Sequence, residues 1–201
     1  MNSTDMAPAM ELALCANFGS VAAWREGVVA LDRVEGGGAR LVFQPHDGRL
    51  VSQWAHEPLA DGDMLILALP RPIAASLDGI AWGPAYERYQ HAVEAASAAC
   101  GATQDEAGGA LLLDVRRAGV FEKAAALIPG ARWFDPGEVS DWAATLPTDR
   151  EVVVYCVYGH EVGRSTALRL RAAGVRARYL EGGIDAWQAA GRPVEAKEDK
   201  P

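Results

Sequence analysis

"EVVVYCVYGHEVGRSTALRL" (residues 151–170) is the stretch on which the fold turns. Val152, Val153, Val154 and Tyr155 form an unbroken apolar run of strong strand formers, too short for a buried helix and without the alternation of a half-solvated strand. Such a run suits a strand buried on both faces, the position of a central strand in a parallel sheet. Cys156 ends the run, a short loop with Gly159 follows, and an Ala/Leu/Arg-rich helix is expected from near Gly163.

Strand and helix signals alternate on both sides of this unit. A turn-rich linker, "GATQDEAGG" (101–109), precedes "ALLLDV", "AGVFEKAAAL", "ARWF" and "EVSDWAATL"; "RARYLEGG" and "IDAWQAAG" follow it. Alternation of this kind specifies an α/β fold, a mostly parallel sheet covered by helices. Upstream, "PAYERYQHAVEAASAAC" (84–100) reads as a helix, with apolar residues three or four apart and Pro84 in the first turn.

Cys156 therefore lies at the carboxyl end of a parallel strand, where open α/β sheets bind ligands. Gly159 allows the loop to coil, so that successive N–H groups can face inward as an anion nest before the positive end of a helix. Arg164, Arg169, Arg171, Arg176 and Arg178 fall between Glu161 and Glu181 with no acid among them, which predicts a positive local potential. Both features favour thiolate over thiol, so a depressed pKa and a nucleophilic role are expected for Cys156. A small apolar side chain closing a strand is the plainer use of such a cysteine.

Four motifs, one of them within the opening stretch, resemble the rhodanese homology domain over about residues 85–196. "LLLDVR" (111–116) resembles its opening strand with Asp-x-Arg, and "LIPGA" (127–131) its His-Ile-Pro-Gly-Ala segment. "VVVYC" (152–156) is similar to its cysteine-bearing strand, and "YLEGGIDAWQAAGRPV" (179–194) to its closing strand, Gly-Gly turn and Trp-bearing helix. The resemblance implies a five-stranded, mainly parallel sheet flanked by helices. It also implies sulfurtransferase activity: sulfane sulfur passes from a donor such as thiosulfate, through a Cys156 persulfide, to a thiol or cyanide, with an acceptor protein as another route. No cofactor beyond the persulfide and no metal is implied. By position Cys156 is the nucleophile, and the amides of Val157, Tyr158, Gly159, His160, Glu161 and Val162 form the substrate cradle. Asp114 and Arg116 match the Asp-x-Arg pair, mainly architectural, with Arg116 also a candidate substrate contact; Trp187 matches a core residue.

This chain departs from the family pattern twice. Leu127 stands where the family often has His, and the spacing from Cys156 to Gly174 is one residue long for a six-residue loop. A seven-residue loop, "CVYGHEV", suits the phosphatases and arsenate reductases of this fold, which need Arg at its last position to grip a tetrahedral oxyanion. Here that position is Val162, and Glu161 adds a negative charge. Sulfur transfer is thus the first expectation; a phosphatase, an arsenate reductase or a non-catalytic binding module are the alternatives. His160 is the histidine near the chemistry, either a donor contact and proton source or a solvent-facing loop residue.

Residues 1–83 match no family pattern. "ELALCANF", "GVVALDRV", "ARLVFQP", "RLVSQWA" and "DMLILALP" read as strands, with a hairpin turn at Asp47-Gly48. The expectation is a small β-rich module that shades the loop, docks an acceptor or completes the core, followed by the domain at 84–196 and a disordered tail at 197–201. The net charge of −8 opposes nucleic acid or an anionic membrane as partner, since both require clustered bases. No apolar run approaches the roughly 20 residues of a spanning helix, and "MNSTDMAPAM" lacks the pattern of a signal peptide, so a cytoplasmic location is expected. Cys15, Cys100 and Cys156 are widely spaced and are expected to be reduced; spacing does not settle whether Cys100 can pair with Cys156.

Overall fold

The computed structural model describes residues 5–31 and 37–197, and the chain divides into two compact units, residues 1–95 and 96–201. The first unit opens with two helices, α1 (Pro8–Phe18) and α2 (Val21–Ala30). Strands β1 (Ala39–Gln44), β2 (Arg49–Trp54) and β3 (Met64–Leu69) form an antiparallel sheet in the order β2-β1-β3, and helices α3 (Ile73–Asp78) and α4 (Trp82–Ser97) follow. The expected hairpin is present: Gln44 pairs with Arg49, and Gly48 takes a positive φ of 69°.

The helices at 8–30 correct the strand reading of "ELALCANF" and of the described part of "GVVALDRV", whose residues 32–34 lie outside the described residues. Local signals explain them. Pro8 opens α1, Gly19 ends it at φ 82°, and Ser20 caps α2 by accepting the Ala23 N–H at 3.0 Å. Met10 and Leu14, then Trp24 and Val28, are buried at a spacing of four, the period of a helix.

The second unit is built on a five-stranded sheet in the order β4-β9-β8-β5-β7, every pairing parallel. Its strands are β4 (Gly101–Ala102), β5 (Leu111–Asp114), β7 (Arg132–Trp133), β8 (Glu151–Tyr155) and β9 (Arg176–Leu180). Short helices α5 (Ala118–Phe121) and α6 (Val139–Trp142) and longer helices α7 (Glu161–Ala172) and α8 (Gly183–Ala189) flank it. β8 is central, and Val152 through Tyr155 are fully buried, as its composition requires. Val153 and Tyr155 share a core with Ile128, Leu180, Ile184 and Trp187, which places α8 on that face.

Two readings of this half are corrected. Gly101–Ala102, assigned to a linker, is an edge strand paired with Tyr179 and Leu180, too short to carry a period. The chain end is tied down as far as Lys197. Strand β10 (Glu195–Ala196) pairs with β6 (Ala126–Leu127), and Lys197 donates from its backbone to Ala125 and from its ammonium to the carbonyls of Phe121 and Glu122. Residues 198–201 of the expected tail lie outside the described residues.

Candidate active site

Cys156 is the first residue beyond β8 and only 6 % exposed. The loop after it is held from behind by the start of α8. The N–H groups of Ile184 and Asp185 donate at 3.0 Å to the carbonyls of Cys156 and Val157, which directs the loop's own N–H groups the other way, toward the sulfur. This approach requires glycine. A β-carbon on Gly183 (φ 59°) would fall 2.5 Å from the Cys156 carbonyl oxygen and closer still to that of Val157. One on Gly159 (φ 70°) would meet the Gly182 nitrogen and the Leu180 carbonyl oxygen at 2.7 Å.

The N–H groups of Gly163, Gly159, His160 and Tyr158 lie against the Cys156 thiol and favour its ionisation. Burial is the larger effect and pushes the thiol up from its ordinary value. The expected depressed pKa is therefore corrected, because desolvation at the bottom of a closed loop outweighs four backbone dipoles. The arginines that suggested a positive field are each turned onto the protein, Arg169 onto the Ser140 hydroxyl at 2.8 Å, and Arg164 among them is bonded to the loop itself. Arg164 donates to the Gly159 carbonyl at 2.9 Å, Arg171 to Ala177, Arg176 to Asp149 and Arg178 to Gly101.

Within the predicted cradle the side chains divide. Tyr158 is 56 % exposed and His160 is exposed beside it, their ring centroids 5.8 Å apart; Glu161 is buried at the first position of α7 and Val162 is half-buried. The helix thus begins two residues earlier than expected, and its first turn forms one wall. Gly163 was missed by the sequence reading. Its N–H is the foremost of those favouring thiolate, and a β-carbon there would stand 3.4 Å from Sγ. The available signal was a glycine in the first turn of a helix, where it is a poor helix former.

Arg116 is buried in an ion pair. It and Asp114 are 5 % and 0 % exposed, joined by a bidentate ion pair, and Arg116 also donates to the Ala126 carbonyl at 3.0 Å. Its guanidinium is buried and bonded to Asp114 at the end of β5, which corrects its candidacy as a substrate contact. The neighbouring Tyr155 hydroxyl accepts the Ile128 N–H at 3.2 Å. Burial, then the Asp114 carboxylate, raises its pKa, so it stays protonated. Trp187 is in the core and donates to the Pro193 carbonyl at 2.8 Å. Leu127 lies in β6.

Cys15 is half-buried in α1, not in a strand, and Cys100 is buried; all three cysteines are free. Among the described residues no cluster of His, Cys, Asp or Glu could hold a metal ion, and no helix is long and apolar enough to cross a membrane.

A cysteine under a coiled amide loop at the carboxyl end of the central strand, in a sheet of this order, agrees with a family match: residues 97–190 match the model of the rhodanese-like domain. The second unit is a rhodanese-like domain. The chain is 37 % identical over 91 residues to an HTH-type transcriptional regulator of Mycobacterium tuberculosis, covering 45 % of this chain and 39 % of the regulator. It is 39 % identical over 66 residues to an iron superoxide dismutase of Cupriavidus metallidurans, 30 % of this chain and 34 % of that protein. It thus spans well under half the length of either curated relative. The crystal structure of a rhodanese-related protein from Thermoplasma volcanium is also similar, at 24 % identity and a TM-score of 0.41, over 47 % of this chain and 96 % of that one.

Proposed function

We propose that the rhodanese-like domain is a sulfurtransferase that carries sulfane sulfur on Cys156. The observation that supports this most is the set of N–H groups of Gly163, Gly159, His160 and Tyr158 around the sulfur. Attack by Cys156 on a sulfane sulfur places negative charge on the sulfurs inside the loop, and donors already aimed there stabilise it without reorganising. The absence of a β-carbon at Gly163 leaves space beside Sγ for the second sulfur. The thiol proton goes to solvent as the donor enters. An acceptor thiol or cyanide then attacks the outer sulfur and restores Cys156.

Phosphate chemistry has less support. Val162 stands at the loop position that would need Arg, and Arg164, two residues on, is bonded to the Gly159 carbonyl at 2.9 Å. The free thiols of Cys15, Cys100 and Cys156 suit a reducing compartment, and we assign the protein to the cytosol.

The test is intact mass spectrometry of the reduced protein after treatment with a sulfane-sulfur donor in large excess. The expected result is a gain of about 32 Da that dithiothreitol removes; a sulfinic acid adds nearly the same mass but resists dithiothreitol. Cys156→Ser should show no such gain while keeping the fold. A protein that acquires no reversible sulfur from either thiosulfate or a persulfide, or a serine variant that still transfers sulfur to cyanide, refutes the assignment.

A further inference from the structure

The N–H groups that face Sγ are aimed by whatever holds the carbonyls on the other side of the loop. In a trans peptide the C=O and the following N–H point in opposite directions, so a donor that grips a carbonyl from outside also turns the next residue's N–H inward. For the first half of the loop the grip comes from the start of α8: the Asp185 N–H donates to the Val157 carbonyl at 3.0 Å, and the Tyr158 N–H of the same peptide plane lies against the thiol. The Gly159 carbonyl, whose plane carries the His160 N–H, has a different partner, Nε of Arg164 at 2.9 Å.

That second plane is free to turn, because Gly159 has no β-carbon to restrict rotation about the bond that leads into it. Arg164 opposes the turn from a fixed position. Its backbone N–H donates to the His160 carbonyl at 3.1 Å, Nη1 donates to Ser97 Oγ at 3.3 Å, and the guanidinium stands 4.3 Å from the centroid of the Tyr179 ring. Ser97 and Tyr179 are both buried. A planar cation seated on an aromatic face and tied to a buried hydroxyl is restrained before any donor arrives. Its hydrogen bond to the Gly159 carbonyl is charge-assisted and so roughly twice as strong as one between neutral groups.

Resting on the sulfur-transfer reading above, we propose that Arg164 is a positioning residue: by holding the Gly159 carbonyl on the outside of the loop, its Nε aims the His160 N–H at the sulfur of Cys156. The effect reaches the sulfur through one peptide plane, so the site uses the donor at Nε rather than the positive charge of the guanidinium. Side-chain lengths separate the two. Nε2 of glutamine stands as many bonds from the backbone as Nε of arginine and carries an N–H without the charge. Lysine keeps the charge but places its nitrogen one atom farther out, and methionine has a carbon at that place and neither property.

Arg164→Gln, Arg164→Lys and Arg164→Met are made in the full chain, and three quantities are measured for each: the rate of dithiothreitol-reversible sulfur gain from thiosulfate or, where that fails, from benzyl hydropersulfide; the pH at which iodoacetamide alkylation of Cys156 inflects; and the urea midpoint. Arg164→Lys and Arg164→Met should charge at least about tenfold more slowly than the wild type, less than the full loss of one donor from an oxyanion site, and their alkylation should inflect at higher pH. Arg164→Gln should recover most of the rate and return the inflection toward the wild-type value. Arg164→Gln as slow as Arg164→Met, or Arg164→Lys as fast as the wild type, overturns the assignment to Nε. Inflections unmoved in folded Arg164→Lys and Arg164→Met proteins, with only the urea midpoint lowered, reduce Arg164 to a structural tie and overturn it as well. Should Arg164→Met not fold, the contrast between Arg164→Lys and Arg164→Gln decides by the same readings. A wild type that takes up no sulfur from either donor ends the sulfur-transfer reading, and the alkylation measurements then still decide whether Arg164 aims the His160 N–H.

Discussion

Gly183 and Gly191 have nearly the same positive φ, 59° and 67°, but of the two only Gly183 is pressed against the reactive loop. An alanine at Gly191 would meet nothing within 4 Å, so Gly191→Ala should cost only the left-handed conformation, about 1–2 kcal/mol. Gly183→Ala carries the same conformational cost and also drives its β-carbon into the carbonyl oxygens of Cys156 and Val157. Those carbonyls accept the N–H groups of Ile184 and Asp185 at 3.0 Å, and parting them weakens two hydrogen bonds worth about 1 kcal/mol each. Gly183→Ala should thus destabilise by about 2 kcal/mol more than Gly191→Ala, read as the difference between two urea unfolding curves of equal slope. The displaced carbonyl belongs to Cys156 itself, so sulfur charging should slow in Gly183→Ala and stay near wild type in Gly191→Ala. Equal unfolding free energies for the two variants, within about 0.5 kcal/mol, would mean that the α8 turn does not shape the cradle.

Iodoacetamide alkylation of Cys156, followed against pH, should inflect above the roughly 8.5 of a free thiol, because burial outweighs the surrounding N–H groups; an inflection at or below that value would show that the dipoles win. The sign carries into stability. A thiol whose folded pKa exceeds its unfolded value contributes stability that is intact below the unfolded pKa and is lost as pH rises through the folded one, so Cys156→Ser should flatten the alkaline limb of the stability profile. Asp114→Asn should cost about 3 kcal/mol in urea unfolding, since it strands a buried guanidinium; a loss under about 1 kcal/mol would mean that the pair behaves as a surface one. Val162→Arg should strengthen competitive inhibition of sulfur charging by phosphate, by supplying the missing bidentate partner; unchanged inhibition would mean that the side chain at 162 does not face the cradle.

The parts of the second unit that could be read in advance were those where local and tertiary demands coincide. Val152 to Tyr155 have the composition of a strand buried on both faces, and Gly159 and the Gly182-Gly183 pair occur where the backbone must take positive φ. The misreadings share another cause. "ELALCANF" holds a short apolar run, Leu12 to Ala16, which strand and buried helix share, yet Pro8, Gly19 and Ser20 mark helix ends, and those end signals decide between the two. Gly101–Ala102 forms a strand because β9 offers an edge there, a property of the partner rather than of the two residues. The state of Cys156 was misjudged for a related reason. Loop glycines and a following helix indicate N–H groups near the sulfur, but how deeply the loop closes over it, and which way each arginine turns, are settled only in three dimensions.

That the thiol is raised rather than lowered bears on how such a site can work. A thiolate held permanently by fixed cations would be reactive at rest, and the same cations would bind any passing oxyanion. In this loop the stabilising groups are N–H dipoles, neither Lys nor Arg lies between Cys156 and Gly163, and Arg164 donates to the Gly159 carbonyl. On the sulfur-transfer reading, negative charge on the buried sulfur is disfavoured by desolvation alone and becomes favourable as attack on a donor spreads it over two sulfurs within reach of the N–H groups. On the same reading, the exposed Tyr158 and His160 are the side chains at the loop's rim that a donor could meet first, so variants at these two positions separate donor recognition from the chemistry at Cys156.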